Sequence, residues 1–136
     1  MLFELWILPV LCELYLTTDR AELAAESVER GFALLAPNRN WYGLAAGMHL
    51  ARGMLARDHR DWDDADASFE QAVAINHDQS LPWDEAKALY EWAQMAAVRD
   101  RAGDRDAARE RRRRARSIFE HIGARKDVEK IIDEVG

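Results

Sequence analysis

Residues 41–77 read WYGLAAGMHLARGMLARDHRDWDDADASFEQAVAINH, and this stretch decides the fold. Leu44, Met48, Ala51 and Leu55 recur at the three- and four-residue steps of one helix face. Ala65, Phe69, Ala72, Val73 and Ile75 do the same further on, and Asp58–Asp61 supplies a tight turn between them. Asp63 and Asp64 stand where a helix N-terminus favours negative charge. Gly53, Ala65 and Ala72 are small, whereas Phe69 is large. Small residues at those offsets let two antiparallel helices approach closely, and the large one plugs the gap. The stretch predicts a helix hairpin.

Working outward, the same offsets occur twice more, as Cys12, Ala24, Val28, Gly31 and as Ala96, Ala108, Arg112, Ala115. The third copy breaks the rule, with Arg111 and Arg112 where apolar residues are expected. Ala24, Ala65 and Ala108 lie 41 and 43 residues apart, a spacing longer than the tetratricopeptide period of about 34. The excess fits in longer connections. A repeated hairpin predicts an all-α fold: an α-solenoid of about three antiparallel hairpins with a short capping helix. The expected hairpins are 2–36, 41–77 and 82–122, with the cap at 125–135, all in one domain.

Local signals set the expected ends. Pro9 either kinks the first helix or sits in the first turn of one starting near Leu8. Asp19 and Glu22 read as a capping-box-like start for a helix to about Leu35, ended by Pro37, with 38–40 as the turn. Pro82 suits a first helical turn, Gly103 is the expected C-cap, and Asp104 or Asp106 begins the next helix. Gly123 caps that one. Val128, Ile131, Ile132 and Val135 then share one side of the last helix.

Charge is unevenly spread. Residues 1–98 hold 7 Lys and Arg against 16 Asp and Glu, while 99–116 hold 9 Arg against 4 acids. The acidic bulk makes nucleic acid an unlikely partner and leaves one basic segment to explain. A single cysteine, Cys12, excludes an internal disulfide and suits a reducing cytosol. Residues 1–16 are apolar but lack the basic start and cleavage site of a signal peptide. Glu4, Pro9 and Glu13 interrupt them short of the ~20 residues that cross a bilayer, so a buried helix in a cytoplasmic protein with no membrane partner is expected.

The offsets resemble the tetratricopeptide signature, with Trp92, four residues before Ala96, at its aromatic position. LWILPVLCELYL, NWYGLAAGMHLARG, FEQAVAI, LPWDEAKALYEWA and IFEHIGARKDVEKI together resemble the C-terminal repeats of large bacterial signalling proteins. Those proteins join a cyclase or kinase-like domain to an AAA-type ATPase, and related tails occur in ATPase-type transcription regulators. The resemblance covers essentially the whole chain. It implies a regulatory or interaction module, and none of the family's catalytic motifs is present.

The chemistry of the residues agrees with that expectation. There is no phosphate-binding Gly-rich loop, nucleophile elbow or His-Glu-x-x-His, so neither catalytic residue, metal nor cofactor is expected. His49, His59, His77 and His121 show no ligand-like pairing, and the Asp58–Asp66 acids lack the spacing and glycine of a calcium loop. Cys12 reads as a packed, inert thiol. Arg109, Arg112, Arg113 and Arg116 share one side of a helix, flanked by Arg111 and Arg114. A solvated face paired with Asp104, Asp106, Glu110 and Glu120 is the plainer reading, and an anion-docking site is the sharper one.

Three functions follow in order. The first is a protein-interaction module holding a peptide or a neighbouring domain in a concave groove. By analogy with tetratricopeptide superhelices, the groove candidates are Glu13, Leu50, Met54, Arg57, Tyr90, Ala97 and Arg101. The second is self-association as a homodimer through Leu2, Phe3, Trp6, Val10 and Leu11 of the apolar first helix. An enzyme acting alone ranks last.

Overall fold

The computed structural model describes the backbone of residues 2–35 and 44–135 and the side chains of 4–35 and 44–131. Seven helices account for nearly all of it: α1 (Leu2–Thr17), α2 (Ala21–Leu35), α3 (Leu44–Asp58), α4 (Trp62–Asp78), α5 (Pro82–Arg99), α6 (Asp104–His121) and α7 (Arg125–Val135). No strand occurs among the described residues. The expected start at Trp41, the Pro37 stop and the 38–40 turn lie outside them, as do the side chains of Ile132 and Val135.

One turn is used four times. The connections after α1, α3, α4 and α6 are each three residues long. In each, the last connecting N–H reaches back five residues: Arg20 to Tyr15 O at 2.7 Å, Asp61 to Ala56 O at 2.8 Å, Leu81 to Asn76 O at 2.9 Å and Ala124 to Phe119 O at 2.8 Å. This is the Schellman closure, which requires a left-handed residue just before it. That residue is Asp19 (φ 57°), Arg60 (φ 59°), Ser80 (φ 56°) and Gly123 (φ 77°). The same residue that closes one helix then opens the next, since the carbonyls of Arg20, Asp61, Leu81 and Ala124 accept the first bond of the following helix. Asp19 is therefore a turn residue, and the capping-box start read at Asp19–Glu22 is corrected: α2 begins at Ala21, behind Arg20.

The connection between α5 and α6 is one residue longer and differs in kind. Asp100, at φ 51°, ends α5 by donating its N–H to Ala96 O at 3.0 Å. Gly103 (φ 86°) sits at the start of α6 and not, as the sequence suggested, at the end of α5. Pro9 lies inside α1, neither starting it nor ending it. Its ring rests against α3 at Gly47, where a Cβ would come 3.2 Å from Pro9 Cγ.

The small-residue spacing has a direct structural counterpart. A Cβ added to Gly53 would meet the Phe69 ring at 2.9 Å, and Phe69 is fully buried. The glycine thus makes room for the phenyl ring, as the spacing required. Cys12, Ala24, Ala65, Ala72, Ala96 and Ala115 are likewise sealed from solvent, the layer on which α1–α2, α3–α4 and α5–α6 pair. The pairs also pack on one another, α1 and α2 against α3 and α4 against α5, while α7 packs on α6. α3 touches both α1 and α5. That placement leaves one face of α3 as the floor of a groove.

Candidate functional site

The groove runs between α1 and α5 over α3 and encloses a cavity of about 470 Å³. α1 supplies Leu5, Trp6, Pro9, Val10 and Glu13 to one wall, and α5 supplies Trp83, Asp84 and Lys87 to the other. The floor is Ala46, Gly47, Leu50, Ala51 and Met54 of α3, with the Pro9 ring resting on Gly47. Two smaller hollows continue it. One of about 260 Å³ holds Glu13, Leu16, Met54, Arg57 and Glu91, and one of about 110 Å³ holds Glu13, Trp83, Tyr90, Asp127 and Lys130.

Five of the seven groove candidates therefore fall together: Glu13, Leu50 and Met54 line the main cavity, and Arg57 and Tyr90 line its two extensions. Ala97 and Arg101 line none of the three. Ala97 faces solvent near the end of α5, and Arg101 lies in the turn beyond it, its backbone N–H donated to Asp104 Oδ2 at 2.8 Å. Sequence reasoning missed Trp83, Asp84 and Lys87 as walls. The first helix of a hairpin was expected to face the groove, but its first turn was not.

Ion pairs set the charge of this face. Glu13 accepts from Lys87 Nζ at 3.1 Å, joining α1 to α5 across the groove. Arg57 donates to Glu91 Oε2 at 2.8 Å and to the Glu91 carbonyl at 3.0 Å, and its guanidinium lies over Phe69. Arg57 is thus committed to the fold, which its role as a groove candidate did not foresee. Lys130 sits over the Tyr90 ring, 4.8 Å from the centroid, and Trp83 Nε1 donates to Asp127 at 3.2 Å, so α7 holds the groove's far corner. Asp84 forms no ion pair among the described residues. Burial pushes its carboxyl up, against the opposing pull of Lys87 and of its own backbone N–H.

The α1 residues expected to self-associate are split by the fold. Trp6 and Val10 are 66% and 60% exposed, and Leu14, four residues on, is 54% exposed. Leu11 is half-buried and turned away from that stripe, and the side chains of Leu2 and Phe3 lie outside the described residues.

The arginines of α6 do not form one unpaired patch. Arg113 pairs with Glu110 and Arg116 with Glu120, each at 2.7 Å, both along the helix. Arg112 turns inward and donates to Gln94 Oε1 at 3.0 Å, while Arg109 is exposed. Arg111 is half-buried, its guanidinium carbon over the Trp92 ring, 3.7 Å from the centroid. Asp104 pairs instead with Arg99, through contacts at 2.7 and 2.9 Å.

Cys12 is enclosed and its Sγ faces the Ala51 carbonyl, and burial pushes the thiol up to about 11, so it is protonated at neutral pH. Burial and Arg52 lower His49. No group of three His, Cys, Asp or Glu side chains able to hold a metal ion occurs among the described residues, and no helix there is long and apolar enough to cross a membrane. No protein-family model, curated protein or solved structure matches the chain.

Proposed function

We propose that the chain is a tetratricopeptide-like α-solenoid of three hairpins with α7 as its cap. In this reading it is a non-catalytic cytoplasmic module that binds a peptide or a neighbouring domain in the α1–α3–α5 groove. The resemblance to the C-terminal repeats of bacterial cyclase–ATPase proteins and ATPase-type regulators supports this reading, as does the recurrence of one turn geometry. The observation that carries it is the 470 Å³ groove walled by Trp6, Val10 and Trp83 over a floor of small residues. Ligand sites are concave and mostly apolar with a few placed polar groups, and this groove has that make-up. The test is selection of phage-displayed random 16-residue peptides against the chain, with Val10→Glu as the blocked control. Peptides held by the wild type and released by the variant support the groove. A selection that yields no Val10-sensitive peptide removes it.

A second reading, a homodimer through α1, draws on the stripe of Trp6, Val10 and Leu14, each more than half exposed. A stripe of that size on a helix whose other face is core is unusual for a monomer. Light scattering during size exclusion separates the readings. A 31 kDa particle that falls to 15.6 kDa on Leu14→Glu supports the dimer, since Leu14 lies outside the main cavity. A wild-type monomer at high concentration excludes it.

A further inference from the structure

We infer that the groove selects a protein segment carrying large apolar side chains and one lysine or arginine, which pairs with Asp84. This rests on the groove reading above and names the chemistry of its occupant. The apolar part follows from the walls. Trp6, Val10 and Trp83 stand at the rim, and Leu50 and Met54 lie beneath, so the occupant must offer apolar surface to displace water from them. The cavity of about 470 Å³ is large enough for a few side chains, supplied by a peptide or by a projecting segment of a neighbouring domain.

The charged part follows from the ion pairs. Across the main cavity and its two extensions stand five carboxylates, Glu13, Asp58, Asp84, Glu91 and Asp127, and three cations, Arg57, Lys87 and Lys130. Lys87 is taken by Glu13 and Arg57 by Glu91. Lys130 lies over the Tyr90 ring. What the groove offers an incoming group is therefore negative, and Asp84 is the carboxylate placed on the wall of the main cavity without an ion-pair partner among the described residues. Asp84 is exposed, so an incoming lysine or arginine can reach it, and partial desolvation raises its carboxyl against the pull of Lys87 and of its own backbone N–H. A ligand cation beside it favours the ionised form. The acidic balance of residues 1–98, 16 acids against 7 bases, draws a basic segment to this end of the chain from a distance.

The test uses the intact chain and the 16-residue display library. Val10-sensitive peptides are sequenced, and the commonest is synthesised with its lysine or arginine kept, or changed to Gln or to Glu. Fluorescence anisotropy then measures binding to wild type, Asp84→Asn and Asp84→Lys, each checked for unchanged thermal unfolding. The expected result is a basic residue in the recovered sequences and at least a tenfold loss with the Glu peptide. Asp84→Lys reverses the order, and the Glu peptide becomes the tighter. Val10-sensitive peptides without a basic residue, or with affinity unaffected by Asp84→Asn and Asp84→Lys, overturn this inference and leave the groove standing. Absence of Val10-sensitive peptides overturns both. If the Asp84 variants unfold, the Gln and Glu peptides on the wild type decide alone.

Discussion

Arg111 lies over Trp92, its guanidinium carbon 3.7 Å from the centre of the indole ring, while Trp92 Nε1 donates to Asp66 Oδ1 at 2.8 Å. The two contacts tie α4, α5 and α6 together at one residue. They also explain how a cation fills a position that the repeat reserves for an apolar side chain. A planar guanidinium packs on an aromatic face as a ring does, and the stem fills the rest.

The stack is therefore expected to be worth little as a charge and much as a shape. Arg111 Nη1 is buried without a hydrogen-bond partner, a cost that offsets the ring contact. Arg111→Met should stay within about 1 kcal/mol of wild type in urea unfolding. Trp92→Ala should cost about 3 kcal/mol or more, since it removes the ring and the bond to Asp66 together. Equal losses from the two variants would show that the charge, not the shape, is what counts.

Asp104 makes stability depend on acid. Its two bonds from Arg99 and one from the Arg101 N–H hold its carboxyl at about 2, below the ordinary 3.8. A carboxyl with a depressed folded value stabilises wherever it is ionised in both states. The contribution is complete above pH 3.8 and fades as the pH falls toward 2. With allowance for a buried pair flanked by the exposed turn residues 100–103, the amount is about 1–2 kcal/mol. Asp104→Asn should show that penalty in urea midpoints at pH 7 and lose most of it by pH 2.5. A penalty constant with pH would assign the loss to something other than the Arg99 pair.

What was legible in the sequence was the part governed by periodicity and size. Gly53, Ala65, Phe69 and Ala72 gave the packing of α3 on α4 because backbone approach depends only on how small the residues are. The turns were harder to read. Four of their left-handed residues, Asp19, Arg60, Ser80 and Asp100, are not glycine, so the usual signal survived only at Gly123, and Gly103 was assigned the wrong helix end. Leu50 and Met54 of the groove's floor came from the analogy with tetratricopeptide superhelices. Its opposite wall did not, because Glu13 and Lys87 are 74 residues apart and only the stacking of hairpins brings them together. Arg57 lines an extension of the groove, but its pairing was not legible for a related reason: its partner Glu91 is 34 residues away, and a satisfied cation looks the same in a sequence as an available one.

The glycine spacing makes a further contrast. Gly53→Ala sets a methyl against the edge of the buried Phe69 ring, which is enclosed and has no room to withdraw. The better helix propensity of alanine, about 1 kcal/mol, is outweighed, and a net loss of about 1–2 kcal/mol is expected. At Gly31 the neighbour is the end of Met48, also fully buried, but an unbranched chain with more rotatable bonds than a phenyl ring. Gly31→Ala should therefore cost less than Gly53→Ala by thermal unfolding. The reverse order would mean that the α2–α3 contact, not α3–α4, is the tightly packed one.

The Glu13–Lys87 pair spans the groove at 3.1 Å with both side chains partly exposed, 39% and 28%. Its coupling is expected to be small, about 0.5–1 kcal/mol in a double-mutant cycle of Glu13→Gln and Lys87→Met. Because solvent reaches the pair, the coupling should shrink between 0.05 and about 1 M salt, where the screening length falls to about 3 Å. The same pair lies where an occupant of the groove must pass from the main cavity toward Arg57, since Glu13 lines both hollows. Breaking it frees Lys87 and leaves the Glu13 side without its counter-charge. Glu13→Gln should then weaken a bound lysine-bearing peptide, while Lys87→Met should tighten it, although both variants remove the same ion pair. Identical effects of the two on peptide affinity would show that the pair acts only by joining α1 to α5, and that its charges do not reach the groove.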